Sequence, residues 1–104
     1  GNRRILRHHI IDPSTGYPST YAVEINLVSK TLDAAILDAL STAMMTMDQP
    51  TAYALRAFFI DQGEELDIAW VEIMNERLVV TYTDGYEPYL KKMNQVRYQR
   101  YQDA

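Results

Sequence analysis

The hydrophobic pattern changes its period once in the first half of the chain, and this change limits the folds open to the sequence. In residues 21–28, Val23, Ile25 and Leu27 alternate with small or polar residues. A period of two predicts a strand with one face toward solvent, and Glu24 and Asn26 fall on that face. Residues 32–47 contain helix formers throughout, with apolar residues three and four apart. The sequence therefore predicts a strand followed by an amphipathic helix.

Two helices are expected in succession. Thr31 or Ser29 is a plausible N-cap for the first helix, and Pro50 suits the first turn of a second helix over residues 51–60. Gly63 then ends the second helix. The apolar stripe of the first helix is predicted to comprise Ala35, Ile36, Ala39, Leu40, Ala43, Met44 and Met47.

The second half of the chain predicts a β-hairpin and a tail. Residues 67–74 and 78–82 are rich in β-branched and aromatic residues and flank a tight turn at residues 75–77. Residues 86–104 form a polar, tyrosine-rich tail in which residues 88–93 are the candidate helical stretch. The order of strand, two helices, hairpin and tail predicts one α+β domain over residues 1–104, with a mainly antiparallel sheet.

Composition excludes several classes of protein. The chain has 104 residues and no cysteine, which excludes disulfides and thiolate metal sites. Its net charge of −4 argues against a nucleic-acid partner, because such proteins carry basic patches. We also expect no membrane span in this chain, since no apolar run approaches the roughly 18 residues that one needs.

Residues 7–16, Arg-His-His-Ile-Ile-Asp-Pro-Ser-Thr-Gly, are the first chemically suggestive stretch. Adjacent histidines on an extended segment point to opposite faces, so one of them at most can face a given site. A histidine beside such a loop can act as a base near neutral pH. On composition alone, a surface histidine pair beside a turn is the simpler interpretation.

Asp38 and Thr42 are the second suggestive pair. They are four residues apart in the predicted helix, so both side chains emerge on one face. A carboxylate with a hydroxyl favours Mg²⁺ or Ca²⁺ over zinc. The alternative is that Asp38 lies at the solvent edge and Thr42 bonds back to a helix carbonyl.

Together, the two stretches resemble a known family. Residues 9–18, His-Ile-Ile-Asp-Pro-Ser-Thr-Gly-Tyr-Pro, precede a strand and then residues 37–43, Leu-Asp-Ala-Leu-Ser-Thr-Ala. Both motifs, in this order, resemble the FAD:protein FMN transferases, the ApbE family formerly called thiamine biosynthesis lipoproteins. Residues 80–86, Val-Thr-Tyr-Thr-Asp-Gly-Tyr, are similar to the closing strand of that family. The resemblance covers about residues 5–90 and implies part of an ApbE-like, T-fold-related domain.

The resemblance also implies an activity and a set of site residues. Asp38 and Thr42 match the Mg²⁺ ligands of the family, and His9 matches the histidine that helps to deprotonate the acceptor threonine of a target flavoprotein. The flavin of the substrate FAD is expected to contact five residues, His9, Ile10, Asp12, Thr15 and Gly16. The implied reaction transfers FMN from FAD to that threonine and releases AMP; some relatives hydrolyse FAD instead.

Members of the family are about three times as long as this chain. The resemblance therefore implies the C-terminal portion of a longer protein, inactive by itself, whose lipid-anchored parent lies in the periplasm or on the outer face of a bacterial inner membrane. The alternatives are an ApbE-like binding or assembly module without catalysis, or a self-associating domain. A half-domain exposes apolar surface, so a homodimer is also expected.

Overall fold

The computed structural model describes a strand at residues 4–9 and the chain from residue 22 to residue 101. The described elements are β1 (Arg4–His9), β2 (Glu24–Ser29), α1 (Ala34–Met44), α2 (Gln49–Asp61), β3 (Asp67–Met74), β4 (Arg77–Tyr82), a 3-10 helix (Asp84–Tyr89) and β5 (Val96–Arg100). The strands form one sheet in the order β1-β2-β3-β4-β5. All neighbours are antiparallel except β4 and β5. The predicted α+β class with a mainly antiparallel sheet is confirmed.

Both helices lie on one side of the sheet, which we call the helix face and define by Ile25 and Trp70, paired across β2 and β3. α1 packs against β1 and β2, whereas α2 reaches β4 through Tyr53, whose hydroxyl donates to the Thr81 carbonyl at 2.9 Å. Trp70 is fully buried in the core cluster on this face. Within the described residues, neither helix is long and apolar enough to cross a membrane.

The opposite side of the sheet, the far face, is defined by Val28 and Val71 and has its own buried cluster. Tyr86, in the 3-10 helix, packs into this cluster with 4% of its surface exposed. The chain then enters β5 and reaches Tyr101, which stacks on Tyr53 with ring centroids 3.9 Å apart. The helix predicted at residues 88–93 is wrong, because the 3-10 helix ends at Tyr89 and the chain then runs without a helix into β5.

α1 is shorter than predicted and begins at a different cap. The Asp33 carboxylate accepts from the Ile36 N–H at 2.9 Å, which satisfies one of the free N–H groups of the first turn. The predicted caps act elsewhere. The Ser29 hydroxyl accepts from the Leu32 N–H at 2.9 Å, and the Thr31 hydroxyl accepts from the Glu65 N–H at 3.0 Å. These two hydroxyls therefore fix the loop that precedes the helix.

The buried face of α1 also differs from the predicted stripe. Its buried residues are Leu37, Leu40, Ser41 and Met44. Ala35 and Ala39, which were assigned to the stripe, are exposed, and Ile36 is 41% exposed. Alanine is a good helix former on any face, so Ala35 and Ala39 shifted the predicted stripe away from the buried face. The Ser41 hydroxyl tolerates burial because it donates to the Asp38 carbonyl at 3.0 Å.

The second helix and the hairpin agree closely with the sequence-based prediction. The Asp48 side chain caps α2, and Pro50 lies in its first turn. Gly63 has a φ of 89°, which suits the turn after the helix. In the hairpin, Asn75 and Glu76 both have positive φ values, as a two-residue type I′ turn requires. The predicted turn was one residue too long, because Arg77 already pairs with Met74.

A polar network holds the 3-10 helix against the start of β3. One carboxylate oxygen of Asp67 accepts from the Thr83 hydroxyl at 2.7 Å and from the Gly85 N–H at 3.2 Å. Arg56 of α2 lies 3.5 Å from the same oxygen and donates to the Leu66 carbonyl at 2.6 Å. A β-carbon at Gly85 would overlap the Asp67 carboxylate. Glycine is therefore required here by close approach.

Candidate functional site

Asp38 and Thr42 lie one turn apart on α1, and both are exposed. The buried side of the helix, marked by Leu37 and Ser41, faces the sheet. Successive turns of a helix bring positions i and i+4 onto the same side. The two oxygen-bearing side chains therefore share one exposed flank of the helix that packs on β1 and β2.

A buried serine, Ser41, makes a hydrogen bond to the main chain of α1 beside Asp38 and Thr42. The Ser41 hydroxyl donates to the Asp38 carbonyl at 3.0 Å, so a serine next to Thr42 makes the back-bond that sequence reasoning considered for Thr42. Such bonds fix and slightly bend a helix. The Asp38 and Thr42 side chains remain on the accessible flank.

The Asp38 carboxylate and the Thr42 hydroxyl are ligand types that Mg²⁺ binds. A carboxylate and a hydroxyl are hard oxygen ligands, and Mg²⁺ commonly takes one or two protein ligands and completes its octahedron with water and phosphate oxygens. Within residues 4–9 and 22–101, no group of three or more histidine, aspartate or glutamate residues is arranged to hold a metal ion. Asp38 and Thr42 would supply two of the six oxygen ligands that a Mg²⁺ ion takes.

His9 is the last residue of β1 and pairs with Glu24 of β2, while His8 pairs with Ile25. Residues directly opposite in an antiparallel pair share a face. The register therefore assigns position 8 to the helix face and position 9 to the far face. α1 packs on the helix face, so a site that combines His9 with Asp38 has to lie around the end of β1. That His9 and Asp38 share a site stays a prediction.

Ile10, together with Asp12, Thr15 and Gly16 of the loop at residues 12–16, is predicted to bind the flavin. These residues lie outside the part of the chain that the structure describes, and their roles stay predictions.

A polar pair on β2 was missed by sequence reasoning. Glu24 and Asn26 were assigned to a solvent face, yet Asn26 is only 6% exposed. Its amide nitrogen donates to a Glu24 carboxylate oxygen at 2.7 Å, and its Oδ1 is buried without a hydrogen-bond partner. The available signal was the residue type, because asparagine is depleted from strand interiors.

A cleft of about 450 Å³ opens at the other end of the sheet, between the end of β2, the loop after α2 and the 3-10 helix. Its charged lining is mainly acidic, with Glu64, Glu65 and Asp67 against Lys30. Asp67 already holds Thr83 and Gly85, so its carboxylate serves the fold. None of the predicted site residues lines this cleft.

Comparison with known proteins agrees with the two motifs. The model of the ApbE family matches residues 2–63. The chain belongs to the ApbE family. The matched stretch contains the four elements β1, β2, α1 and α2, and with them all seven predicted site residues. Neither the curated proteins nor the solved structures contain a significant match to this chain.

Membership places the chain in a family of flavin transferases. The family match ends at residue 63, whereas the sheet continues through β3, β4 and β5. The matched stretch therefore shares one sheet with strands outside the match, through the pairing of β2 with β3.

Proposed function

We propose that this chain is the C-terminal portion of a Mg²⁺-dependent FAD:protein FMN transferase. The observation that carries the proposal is the pairing of Asp38 and Thr42 on one exposed flank of α1, within the stretch matched by the ApbE family. FAD is the proposed donor substrate, and a threonine of a target flavoprotein is the proposed acceptor.

The reaction forms a bond between the threonine oxygen and the phosphorus of the FMN half of FAD. The bond from that phosphorus to the bridging oxygen breaks, and AMP leaves with the electron pair. The threonine proton passes to a base, for which His9 is the candidate. Mg²⁺, when bound, neutralises charge on the pyrophosphate, and Asp38 and Thr42 would hold it there. The Asp12–Gly16 loop would position the flavin.

The metal site is tested in the full-length protein by titrating Mg²⁺ against FMN transfer. Asp38→Ala should abolish transfer, since the Thr42 hydroxyl alone cannot hold the ion against water. Thr42→Ser keeps a hydroxyl and should retain more activity than Thr42→Ala. Asp61→Ala, which removes an exposed carboxylate at the end of α2, is the matched control. If Asp38→Ala and Asp61→Ala show the same Mg²⁺ dependence as wild type, the metal assignment is wrong.

The base is tested with the two adjacent histidines. His9→Ala should leave FAD binding largely intact and slow transfer about 10²- to 10⁴-fold, the usual effect of losing one general base. His8→Ala is the matched control and should change the rate little. If His8→Ala is the slow variant, the motif assignment fails, and the residue on the helix face is the base.

The 104-residue chain gives a separate test. Incubated with FAD and Mg²⁺, it should release no AMP, because most of the flavin pocket is proposed to lie in the remainder of the protein. Rapid AMP release by this chain would contradict that proposal. In the full-length protein, AMP release without protein-bound FMN would instead identify a FAD pyrophosphatase.

A further inference from the structure

Four of the seven large apolar side chains that are exposed within residues 22–101 meet at the hairpin end of the sheet. They are Ile73, Met74, Leu78 and Met93, which are 39–66% exposed. Ile73 lies opposite Leu78, and Leu78 lies opposite Val96 in the next pair of strands. Leu78, Met93 and Val96 also line one groove between the hairpin turn and the loop before β5. The five residues therefore form one apolar patch, whereas apolar residues exposed singly are common and need no explanation.

Four cations surround this patch. Arg77 lies in the hairpin opposite the last residue of β3, Lys91 and Lys92 are in the loop before β5, and Arg97 is in β5. All four are exposed, and none forms an ion pair within the described part of the chain. The single anion within residues 73–78 and 91–98 is Glu76. We call the apolar patch with these four cations the hairpin-end surface.

The opposite end of the sheet carries the opposite charge. There, Arg56 lies 3.5 Å from the Asp67 carboxylate, and Arg100 lies 3.1 Å from that of Asp84. Lys30 lines the cleft whose other charged residues are acidic. The remaining three cations of residues 22–101 thus have acidic neighbours, although the chain as a whole is acidic. Charge separated in this way orients a protein at a charged surface, and an anionic surface attracts the hairpin end.

We propose that the hairpin-end surface binds the anionic face of a lipid membrane. The apolar side chains enter the boundary between headgroups and acyl chains, and the cations contact lipid phosphates. Apolar residues flanked by lysine and arginine are the combination that binds such a surface. The long cationic side chains reach the headgroups while their methylene groups cover apolar area. The inference is independent of flavin transfer.

Other occupants fit these observations less well. A second copy placed on the same surface about a two-fold axis would bring four cations against four. A nucleic acid offers phosphates but no apolar layer for the exposed methionine and leucine side chains. A standard protein interface takes about 20–30 residues a side, whereas this surface comprises nine. Membrane binding needs no such minimum, because its strength grows with each apolar and cationic residue that is engaged.

The test is flotation of the 104-residue chain with lipid vesicles. One set contains phosphatidylcholine alone, and the other contains phosphatidylcholine and phosphatidylglycerol in equal parts. The chain should float with the anionic vesicles, float poorly with the neutral ones, and dissociate as added salt screens the cations. Equal binding to both sets, or no binding to the anionic set, would overturn the proposal.

Surface variants with matched controls test which residues bind. Lys92→Ala should weaken binding to the anionic vesicles about fivefold, the contribution of one cation near such a surface. Lys30→Ala changes the net charge equally but at the acidic end, and it should change binding little. Met93→Ser should weaken binding without altering its salt dependence, whereas Phe58→Ser, which removes an exposed ring from α2, should not. Equal losses within either pair would refute the assignment to this surface.

Methyl NMR of the methionines locates the contact directly. With anionic bicelles that contain a lipid spin-labelled near the headgroup, the signals of Met74 and Met93 should be quenched far more than that of Met44, which is fully buried. Equal quenching of the three would contradict the proposal. Self-association that Met93→Ser removes, without vesicle binding, would assign the surface to a second copy. Full-length protein that no longer floats would assign it to the remainder of the protein, and either outcome overturns membrane binding.

Discussion

The close contact between Gly85 and Asp67 gives a direct test of what holds the 3-10 helix against the start of β3. Asp67→Ala removes two hydrogen bonds to a carboxylate, from the Thr83 hydroxyl and the Gly85 N–H, and with them the longer ion pair to Arg56 at 3.5 Å. Bonds to charged groups contribute about 1.5 kcal/mol each at the lower end of their range, so the loss is about 3 kcal/mol. Gly85→Ala places a β-carbon where the carboxylate lies. We expect the carboxylate to swing away and lose the same bonds, again at a cost of about 3 kcal/mol.

Because both substitutions break one contact, their effects should not add. The double variant should be destabilised by about 3 kcal/mol, where independent sites would give about 6 kcal/mol. Urea denaturation of the four proteins measures this coupling, and thermal scans should show a loss of about 12–24 °C for each of the three variants.

Gly63→Ala provides the control for glycine replacement. Gly63 has a positive φ, and a β-carbon added there would meet no atom within 4 Å, so alanine should cost about 1 kcal/mol through backbone strain alone. This cost should add fully to that of Asp67→Ala. Additive behaviour of Gly85→Ala with Asp67→Ala would refute the close-contact reasoning.

Three further outcomes are expected. Tyr53→Phe should cost about 1 kcal/mol in urea denaturation, because the buried Thr81 carbonyl loses its hydroxyl donor. The Thr51 hydroxyl and N–H hold the pKa of Asp48 below its usual value; its contribution to stability is present above the unfolded pKa and lost as pH falls through the lower folded pKa. Asp48→Asn should therefore flatten the acid limb of a stability–pH curve below about pH 4. Phe58 is 56% exposed, and Phe58→Glu should reduce any self-association seen by light scattering.

The elements that sequence predicted well are those with local signals. The two-residue turn at Asn75 and Glu76 lies between two β-branched runs, and Pro50 with Gly63 bounds α2. Each signal acts over a few residues, so no knowledge of the tertiary structure is needed. The Asp38–Thr42 spacing belongs to the same class, since any α-helix through those residues places them on one side.

The elements that sequence missed depend on contacts far along the chain. β5 is a strand because it pairs in parallel with β4, and Tyr101 is placed by its stacking on Tyr53. Nothing within residues 86–101 encodes those partners, and a tyrosine-rich polar stretch is equally typical of a surface tail. The burial of Asn26 could not be predicted from the local sequence for the same reason. Alternation shows that it shares a side with Glu24 and Val28, but the covering of that side is set by the tertiary fold.

The position of Asp38 depends on β1 and β2, on which α1 packs, and in part on β3, which lies outside the family match. α1 carries Asp38 on its exposed flank because Leu37 and Met44 enter the cluster on the helix face, where Ile68 and Trp70 of β3 are also buried. Without β3, β2 would lose its backbone hydrogen bonds on one side, and α1 would lose part of the surface that it packs on. The orientation of the Asp38–Thr42 pair therefore depends in part on β3 residues that lie outside the family match.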